Sequence, residues 1–382
     1  MSGQTPGAPA GNSIRATGYL PPEFLTLQEL PEKARANLPD TSWDYLAGAA
    51  ETETTYLRNR MAIDSLAFRP RVCRDVSTVD VTGEFLGRKL RIPVFLAPIG
   101  SLESFAHGGG ATSAKAAAAF GVDHMLSSVT QPDLETVAGV VDQPTLFQLY
   151  VRGDDAFIDD HVRRAVDAGF RAFCITVDTA HYSRRERDII KRYLPAGRAR
   201  GANRTGHNWQ MAFNWDNVKR FKDKYDIPLI LKGIATAEDA VTAVEHGVDC
   251  IYVSNHGGRQ LDHGLGSIAV LPEVAAAVDG KAEVAVDGGF CRGTDIVKAM
   301  ILGAKAVGLG RLQGYALAAG GEAGVVRMLE LLERECEVAL GLLGVTSYAQ
   351  LDSSYLAPAP LAYPPSPFAA FPHLHWPRHN ER

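Results

Sequence analysis

Eight short apolar runs, most of them separated by stretches with helical periodicity, constrain the fold of this chain more than any other feature. The runs span residues 92–98, 124–128, 145–150, 172–178, 228–233, 250–255, 283–288 and 306–311. They are almost continuously hydrophobic, which is typical of parallel strands covered on both faces. Helical patterns lie between them, for example at residues 154–168 and 237–246. This alternation predicts an α/β fold, a (β/α)8 TIM barrel, with a doubly wound open sheet as the alternative.

The two ends of the chain differ from this pattern. Residues 1–18 are rich in Gly, Pro, Ser and Ala, a composition that predicts disorder. Residues 19–91 precede the first strand and are expected to form helices that cap one end of the barrel, so the barrel domain with its cap is assigned to residues 19–356. Residues 357–382 are rich in proline, which lacks an amide donor and fixes its backbone angle. We expect an extended C-terminal arm that packs on its own domain or on a neighbouring subunit.

Composition narrows the class of protein. Hydrophobic residues make up 46% of the chain and charged residues 22%, as in ordinary globular proteins. The net charge of −5 argues against a general nucleic-acid binder, which needs clustered positive charge. The apolar runs are shorter than the roughly 18 residues of a membrane span, and no secretory signal is recognisable at the N-terminus. We therefore expect a cytoplasmic enzyme that binds neither nucleic acid nor membrane.

The five cysteines support the same compartment. They are Cys73, Cys174, Cys250, Cys291 and Cys336. Their number is odd and none forms a C-x-x-C pair, so buried thiols in a reducing compartment are favoured over a disulfide framework or a metal site. No metal is expected.

Polar and ionisable residues follow nearly every predicted strand. After the first strand comes Ala97-Pro98-Ile99-Gly100, and the later strand ends carry Ser127, Gln148, Tyr150, Thr176, Asp178, Lys232, Ser254, His256, Asp287 and Arg311. In a barrel of this kind the carboxyl ends of the strands meet at the active site. A purely structural barrel would place few such residues there, so the pattern predicts an enzyme.

Glycine-rich turns follow the last two strands. Asp287-Gly288-Gly289 follows the seventh strand, and Gly308-Leu309-Gly310-Arg311 closes the eighth. Loops at these positions commonly bind phosphate through backbone amides and a helix N-terminus, and Arg311 can add a bidentate contact. The turns predict a phosphate-bearing ligand without choosing among FMN, nucleotides and sugar phosphates.

The stretch after the sixth strand, residues 254–262, reads S-N-H-G-G-R-Q-L-D and places His256 and Arg259 three positions apart. With this stretch the chain resembles the FMN-dependent 2-hydroxy acid oxidase and dehydrogenase family, which includes glycolate oxidase, lactate oxidase and mandelate dehydrogenase. The resemblance extends from about Trp43 to about Leu351. Further matching stretches are residues 44–49, 68–71, 147–150, 176–179, 184–186, 232–234 and 287–289.

The resemblance implies a catalytic set. His256 matches the family's base, and Asp178 would bind its other ring nitrogen, fixing the tautomer and stabilising the imidazolium. Tyr150 would hydrogen-bond the substrate oxygen. Lys232 would lie beside flavin N1 and O2, where negative charge develops on reduction.

The resemblance also implies a substrate site. Arg185 and Arg259 match the two arginines that bind the substrate carboxylate, for which a planar guanidinium is well suited, and Tyr45 matches the carboxylate-binding tyrosine. Val129 stands where glycolate oxidase has a tryptophan, and Gly100 where it has an alanine. Both differences are expected to enlarge the pocket and predict a bulky or aromatic side chain on the substrate.

The implied cofactor is FMN. Its expected contacts are Ala97, Pro98, Ile99, Ser127, Gln148, Thr176, Lys232, Ser254, Asp287, Gly288, Gly289, Arg292, Gly310 and Arg311. The chain departs from the family at Cys291, where an arginine usually contacts the FMN phosphate, and Arg292 is expected to compensate. The segment from about residue 188 to 226 is short for the family, which is expected to leave the site more open.

Together these features predict oxidation of an (S)-2-hydroxy acid to the 2-oxo acid, with oxygen as acceptor and hydrogen peroxide as product. Alternatives within the family are a dehydrogenase with a quinone or protein acceptor, a monooxygenase, and an enzyme acting on a modified peptide or amine. An FMN barrel isomerase is the alternative from another class. The resemblance further implies a homo-oligomer, a tetramer or octamer.

Overall fold

The computed structural model describes residues 23–200 and 209–374, so the predicted disordered segment 1–18 and the last residues of the arm lie outside the described residues. The described part of the chain begins with three helices, a single strand and a hairpin. These elements are α1 (Glu29–Asn37), α2 (Asp40–Ala47), α3 (Thr54–Asp64), β1 (Leu66–Phe68), β2 (Gly83–Phe85) and β3 (Arg88–Leu90).

Eight parallel strands then form a closed barrel. They are β4 (Val94–Leu96), β5 (Asp123–Ser127), β6 (Leu146–Leu149), β7 (Ala172–Thr176), β8 (Leu229–Ile234), β9 (Cys250–Val253), β10 (Glu283–Val286) and β11 (Ala306–Leu309). The sheet closes because β11 pairs with β4, with Val307 opposite Val94, which excludes the doubly wound alternative. Every predicted strand is present, which confirms the predicted TIM barrel.

Helices surround the barrel. They are α4 (Gly109–Phe120), α5 (Leu134–Ala138), α6 (Asp155–Asp167), α7 (Glu186–Ile190), α8 (Ala196–Arg200), α9 (Trp209–Ala212), α10 (Trp215–Lys224), α11 (Ala237–Glu245), α12 (Ser267–Val278), α13 (Gly293–Ile301) and α14 (Arg311–Leu343). Several begin at side chains that satisfy an exposed amide, as Asp154 does for Phe157 and Thr236 for Asp239. In the part of the chain that the structure describes, no helix is long and apolar enough to cross a membrane.

Side chains along each strand point alternately into and out of the barrel, and this alternation determines which residues face the active site. Inside the barrel, Phe95, Met125, Leu146, Cys174, Ile230, Cys250 and Tyr252 belong to one buried cluster. Successive strand residues point to opposite faces, so the residues two positions further along also face inward. These inward positions, one layer nearer the carboxyl end, are those of Ala97, Ser127, Gln148, Thr176, Lys232 and Ser254.

The two ends of the barrel are covered differently. Helices α2 and α3 lie against the carboxyl ends of the strands, in agreement with the predicted helical cap. The hairpin β2–β3 closes the opposite end: Phe85 stacks on Phe95 with ring centroids 5.4 Å apart, and Arg88 pairs with the buried Asp123 at 2.8 Å. This second closure was not predicted, because a three-residue strand carries no periodic signal.

The predicted C-terminal arm starts in a strand at the edge of the molecule. Strand β12 (Leu356–Pro358) pairs antiparallel with β1, with Phe68 opposite Leu356. Further along, Phe371 is only 3% exposed, and the amide of His373 donates to Gln28 Oε1 at 2.7 Å. The described part of the arm therefore packs on its own domain. The domain boundary at residue 356 stays a prediction.

Candidate active site

A cavity of about 1290 Å³ opens at the carboxyl ends of the barrel strands. Most residues of the predicted site line it. They are Tyr45, Ala97, Pro98, Ile99, Gly100, Val129, Tyr150, Arg185, Lys232, His256, Arg259, Asp287, Gly288, Gly289, Gly310 and Arg311. The structure thus brings together residues that are spread over some 260 positions of the sequence, as expected for a site built from the loops of a barrel.

The remaining predicted polar residues of the strand ends are buried next to the lining residues. The Oγ of Ser254 accepts from Lys232 Nζ at 3.0 Å and donates to Asp287 at 2.6 Å. Gln148 is fully buried and donates through Nε2 to Thr176 Oγ1 at 2.8 Å, while its Oε1 has no hydrogen-bond partner in the described chain. Ser127 is buried one strand away from Gln148. A buried amide oxygen without a donor is a position at which a ligand N–H can bind.

His256 lies between a carboxylate and a phenol. Its Nδ1 is 3.0 Å from Asp178 Oδ1, and its Nε2 is 3.2 Å from the hydroxyl of Tyr150. Because an ionised carboxylate only accepts hydrogen bonds, the proton of the neutral ring belongs on Nδ1, and Nε2 is left to accept a proton. Gly233 makes this approach of Asp178 possible: its φ is +115°, and a Cβ there would lie 2.7 Å from Asp178 Cβ.

Burial and charge act in opposite directions on this pair. Burial lowers the pKa of His256, and the carboxylate of Asp178 only partly offsets that effect. Burial alone would raise the pKa of Asp178, but His256 and Lys232 together hold it below its usual value. The imidazole is therefore neutral near neutral pH, the state required of a base.

Lys232 is a buried charge at the floor of the cavity. It is 3% exposed and lies 3.8 Å from Asp287 Oδ2. Although burial lowers the pKa of Lys232, Asp287 and Asp178 raise it above its ordinary value, so the ammonium stays protonated. A fixed cation at this position stabilises negative charge that develops on a ligand above it.

Three arginines, Arg185, Arg259 and Arg311, bring positive charge to the cavity. Arg259 donates to the carbonyls of Tyr45 and Gly48 at 2.7 and 2.8 Å. Burial, followed by the repulsion of Arg185 and Arg311, lowers the pKa of Arg259 to about 10. The side chain of Arg185 is buried and its Nε has no hydrogen-bond partner among the described residues. A guanidinium whose protonation is opposed by neighbouring cations lies where an anionic ligand is favourable.

Tyr45, Gly100 and Val129 form one wall of the cavity. The hydroxyl of Tyr45 donates to the carbonyl oxygen of Gly100 at 3.2 Å. A methyl group on Gly100 would lie 2.7 Å from Cγ2 of Val129. Glycine at position 100 thus makes room for the side chain of Val129, and both residues line the cavity beside Tyr45.

Arg292 does not take the position expected from the sequence. Its guanidinium forms an ion pair with Glu335 at 2.5 Å and donates to the carbonyl of Ala370 at 3.4 Å, and it does not line the cavity. Cys291 does line it, and burial raises the pKa of this thiol to about 12, so it carries no charge there. The expected compensation for the missing arginine is not formed by Arg292, because Glu335 holds its side chain.

Several residues of the site were missed from the sequence. Asn59 exchanges amide hydrogen bonds with Asn255 at 2.8 and 2.9 Å, and Arg60 donates to the carbonyl of Gly289 at 3.1 Å while it pairs with Asp295. These contacts hold the turns after β9 and β10. A polar pair on a capping helix has no recognisable spacing, so the only available signal was their place within the region of family resemblance.

The segment between β7 and β8 also contributes to the wall. Leu194, Pro195, Trp209 and Gln210 line the cavity, and Gln210 donates to the carbonyl of Thr176 at 2.8 Å. This segment was expected to leave the site more open, whereas its described parts cover the cavity. Residues 201–208 lie outside the description.

The cavity fits FMN in several respects. The glycine turns after β10 and β11 and Arg311 provide a phosphate site. The buried Oε1 of Gln148 has no donor among the described residues, and Lys232 supplies positive charge. A barrel with such a floor and a His–Asp pair beside it defines a flavin-dependent oxidoreductase.

Comparison with known proteins identifies the family. The FMN-dependent dehydrogenase family model matches residues 34–358. L-lactate oxidase of Nostoc is 38% identical over 358 residues, which are 87% of this chain and 98% of the relative. Glycolate oxidase of Spinacia oleracea is 38% identical over 355 residues, 88% of this chain and 96% of the relative. A crystal structure of mandelate oxidase aligns with a TM-score of 0.80 and 38% identity, covering 87% of this chain and 98% of that one.

The chain therefore belongs to the FMN-dependent dehydrogenase family, and its cofactor is FMN.

Proposed function

We propose that this enzyme oxidises a 2-hydroxy acid to the corresponding 2-oxo acid and passes the electrons to oxygen, which gives hydrogen peroxide. The observation that carries the proposal is the pairing of a base with a carboxylate site. Nε2 of His256 lies 3.2 Å from the hydroxyl of Tyr150, and both residues line the same cavity as the buried Arg185 and the half-buried Arg259. The relatives named L-lactate oxidase, glycolate oxidase and mandelate oxidase support it.

Different side chains of the cavity bind different groups of such a substrate. Arg185 and Arg259 bind the carboxylate, and the hydroxyl of Tyr45 rotates from the carbonyl of Gly100 to donate a further hydrogen bond to it. With the carboxylate fixed at the arginines, the 2-hydroxyl is directed to Nε2 of His256 and to the hydroxyl of Tyr150. Burial, the largest effect on this phenol, raises the pKa of Tyr150 to about 12, so it remains a hydrogen-bond donor at neutral pH.

Proton transfer is the task of His256. Nε2 takes the proton of the substrate hydroxyl, and the resulting imidazolium is stabilised by Asp178 at Nδ1. FMN supplies the two-electron acceptor for the substrate's 2-carbon. Lys232 supplies positive charge where the cofactor becomes negative, and Arg311 with the glycine turns is placed to bind its phosphate.

The pH dependence of the reaction follows from the pKa of His256. The neutral imidazole is the active form, so kcat/KM is expected to be constant at high pH and to fall as the pH decreases through that pKa. Since burial lowers the pKa of His256 below the ordinary value of about 6.5, the midpoint should lie below that value. A profile of kcat/KM between pH 4 and 9 checks this.

The pH profile of kcat/KM of the Asp178→Asn variant should be compared with that of the unmodified enzyme. The carboxylate of Asp178 raises the pKa of His256, so its removal should move the midpoint to lower pH and slow the reaction at every pH. A midpoint above the ordinary histidine value, or one that moves upward in Asp178→Asn, would contradict the assignment.

We further propose that the preferred substrate is an (S)-2-hydroxy acid with a bulky, aromatic side chain. Gly100 and Val129, both small, line the cavity beside Tyr45, and mandelate oxidase is among the similar structures, one of them with benzoyl-formic acid. In anaerobic mixing with a panel of 2-hydroxy acids, mandelate should bleach the flavin at least about tenfold more efficiently than glycolate. Subsequent exposure to oxygen should yield one peroxide per substrate; recovery of the oxidised flavin only with a quinone would indicate a dehydrogenase instead.

A matched pair of variants tests the pocket. Val129→Trp should shift the ratio of kcat/KM values toward glycolate by about 100-fold, because the indole occupies the open space. Val166→Trp adds the same side chain at an exposed position of α6 and should leave the ratio unchanged. Equal efficiency of mandelate and glycolate with the unmodified enzyme would refute the proposed preference.

We also propose a cytoplasmic homo-oligomer, a tetramer or octamer. The five free cysteines support a reducing compartment, and the family resemblance supports the assembly. Light scattering on the purified protein measures the oligomeric state directly.

A further inference from the structure

The C-terminal arm, residues 357–374 in the described chain, has a position that the family does not explain. The family match ends at residue 358, so the arm lies almost entirely beyond it. Nevertheless, Pro367, Phe368 and Phe371 of the arm line the FMN cavity. Residues from outside the family region thus form part of the cofactor site.

Aromatic stacking and backbone hydrogen bonds hold the arm in this place. The ring of Phe368 stacks on Trp43 with centroids 6.3 Å apart and lies 6.4 Å from Tyr315. A turn closed by the amide of Phe371, which donates to the carbonyl of Phe368 at 2.8 Å, directs the second ring inward. Phe371 is buried, and Arg292 donates to the carbonyl of Ala370 next to it.

These anchors identify which end of the cavity the arm covers. Tyr315 lies one helical turn after Arg311 at the start of α14, and Arg292 directly follows Cys291. Both anchors therefore adjoin the turns after β10 and β11, where the phosphate of FMN is expected. At this end the uncharged thiol of Cys291 and the rings of the arm form the wall.

We propose that the C-terminal arm closes the phosphate end of the FMN cavity, and that its opening limits how fast FMN enters and leaves. The proposal rests on the placement of the phosphate at the two glycine turns. An apolar cover excludes water from Arg311 and the phosphate, which strengthens their attraction in the lower dielectric. Excluding water in this way strengthens phosphate binding. It thereby replaces part of the binding energy that an arginine at position 291 would contribute through its charge.

Substitutions in the full-length holoenzyme test the cover. Phe368→Ala and Phe371→Ala remove one ring each, and Tyr363→Ala is the matched control because Tyr363 is 59% exposed on the same arm. After dilution, the rise in fluorescence of released FMN should be about tenfold faster in the first two variants and unchanged in the third. Rebinding of FMN to the apoproteins should be at least as fast as in the unmodified protein, since an open cover no longer delays entry.

Phe368→Leu keeps most of the apolar volume and should release FMN nearly as slowly as the unmodified protein. Unchanged release in both alanine variants would overturn the proposal. So would equal acceleration in Tyr363→Ala, or rebinding that becomes slower in the alanine variants, because slower rebinding means that the arm helps to form the site without gating it.

A measurement on the unmodified protein covers the case in which an alanine variant fails to fold. If the arm closes over the phosphate, hydrogen exchange of the amides of residues 366–374 should be slower with FMN bound than in the apoprotein. Identical exchange in the two forms would overturn the proposal. These readouts need FMN and no hydroxy acid, so they do not depend on the proposed substrate. A wrong placement of the phosphate would show separately, as unchanged FMN affinity in Arg311→Ala.

Discussion

Replacing His256 with asparagine should slow anaerobic reduction of FMN by a 2-hydroxy acid by about 10³-fold or more, while FMN stays bound. The substitution removes Nε2, the atom that faces Tyr150 and takes the hydroxyl proton. Asparagine is the appropriate replacement because His256 has a φ of +59°, a left-handed conformation that asparagine tolerates better than most residues. Stopped-flow absorbance of the flavin measures the rate. The amount of bound FMN is quantified from the FMN released on denaturation of the protein.

His263→Asn is the matched control for this experiment. His263 has a φ of +61° in the same loop, but it is exposed and does not line the cavity. It should reduce FMN at the rate of the unmodified enzyme. Flavin that bleaches in His256→Asn as fast as in the unmodified enzyme would show that the proposed base is wrong.

Replacing Arg185 with methionine should lower kcat/KM for a 2-hydroxy acid by about 100-fold, since a buried charge pair with the carboxylate is lost. Methionine keeps the apolar length of the side chain and removes the guanidinium. The methyl ester of the same acid has no carboxylate charge, so the unmodified enzyme should use it with a much lower kcat/KM than the acid. Arg185→Met should change the kcat/KM for this ester little. The ratio of acid to ester therefore isolates the charge interaction from any change in the shape of the pocket.

Arg184→Met tests whether a loss of positive charge alone is responsible. Arg184 is the preceding residue, is exposed, and does not line the cavity. Its variant should keep the preference for the acid over the ester. If Arg185→Met lowered kcat/KM for acid and ester by the same factor, Arg185 would support the shape of the pocket, and the carboxylate would have to be bound elsewhere.

The barrel and much of its site could be predicted from the sequence because both follow from local patterns. The strands are apolar runs, and the polar residue two positions beyond an inward-facing residue points to the same side, as Cys174 and Thr176 do. His256 and Lys232 were predicted from their places at strand ends together with the family resemblance. Their positions along the cavity agree with the prediction, while their roles in catalysis await the variants above.

Features that depend on contacts distant in sequence could not be predicted. Arg292 turns away from the cavity because Glu335, 43 positions later, binds it. The hairpin β2–β3 is recognisable only once Phe85 is seen against Phe95. Nothing in a proline-rich tail indicates that Phe368 reaches Trp43, more than 300 positions earlier. Such contacts are decided by the tertiary fold, which a local pattern does not encode.

The hairpin that closes the amino end of the barrel also bears on how this protein tolerates change. Packing between Phe85, Phe95 and Tyr252 fills the lower interior, whereas Gly100 and Val129 belong to loops at the other end. The residues proposed to set substrate preference and the residues that fill the core are thus spatially separate. We therefore expect substitutions in the upper loops to change substrate preference without disturbing the core, and stabilising substitutions are best sought around the hairpin.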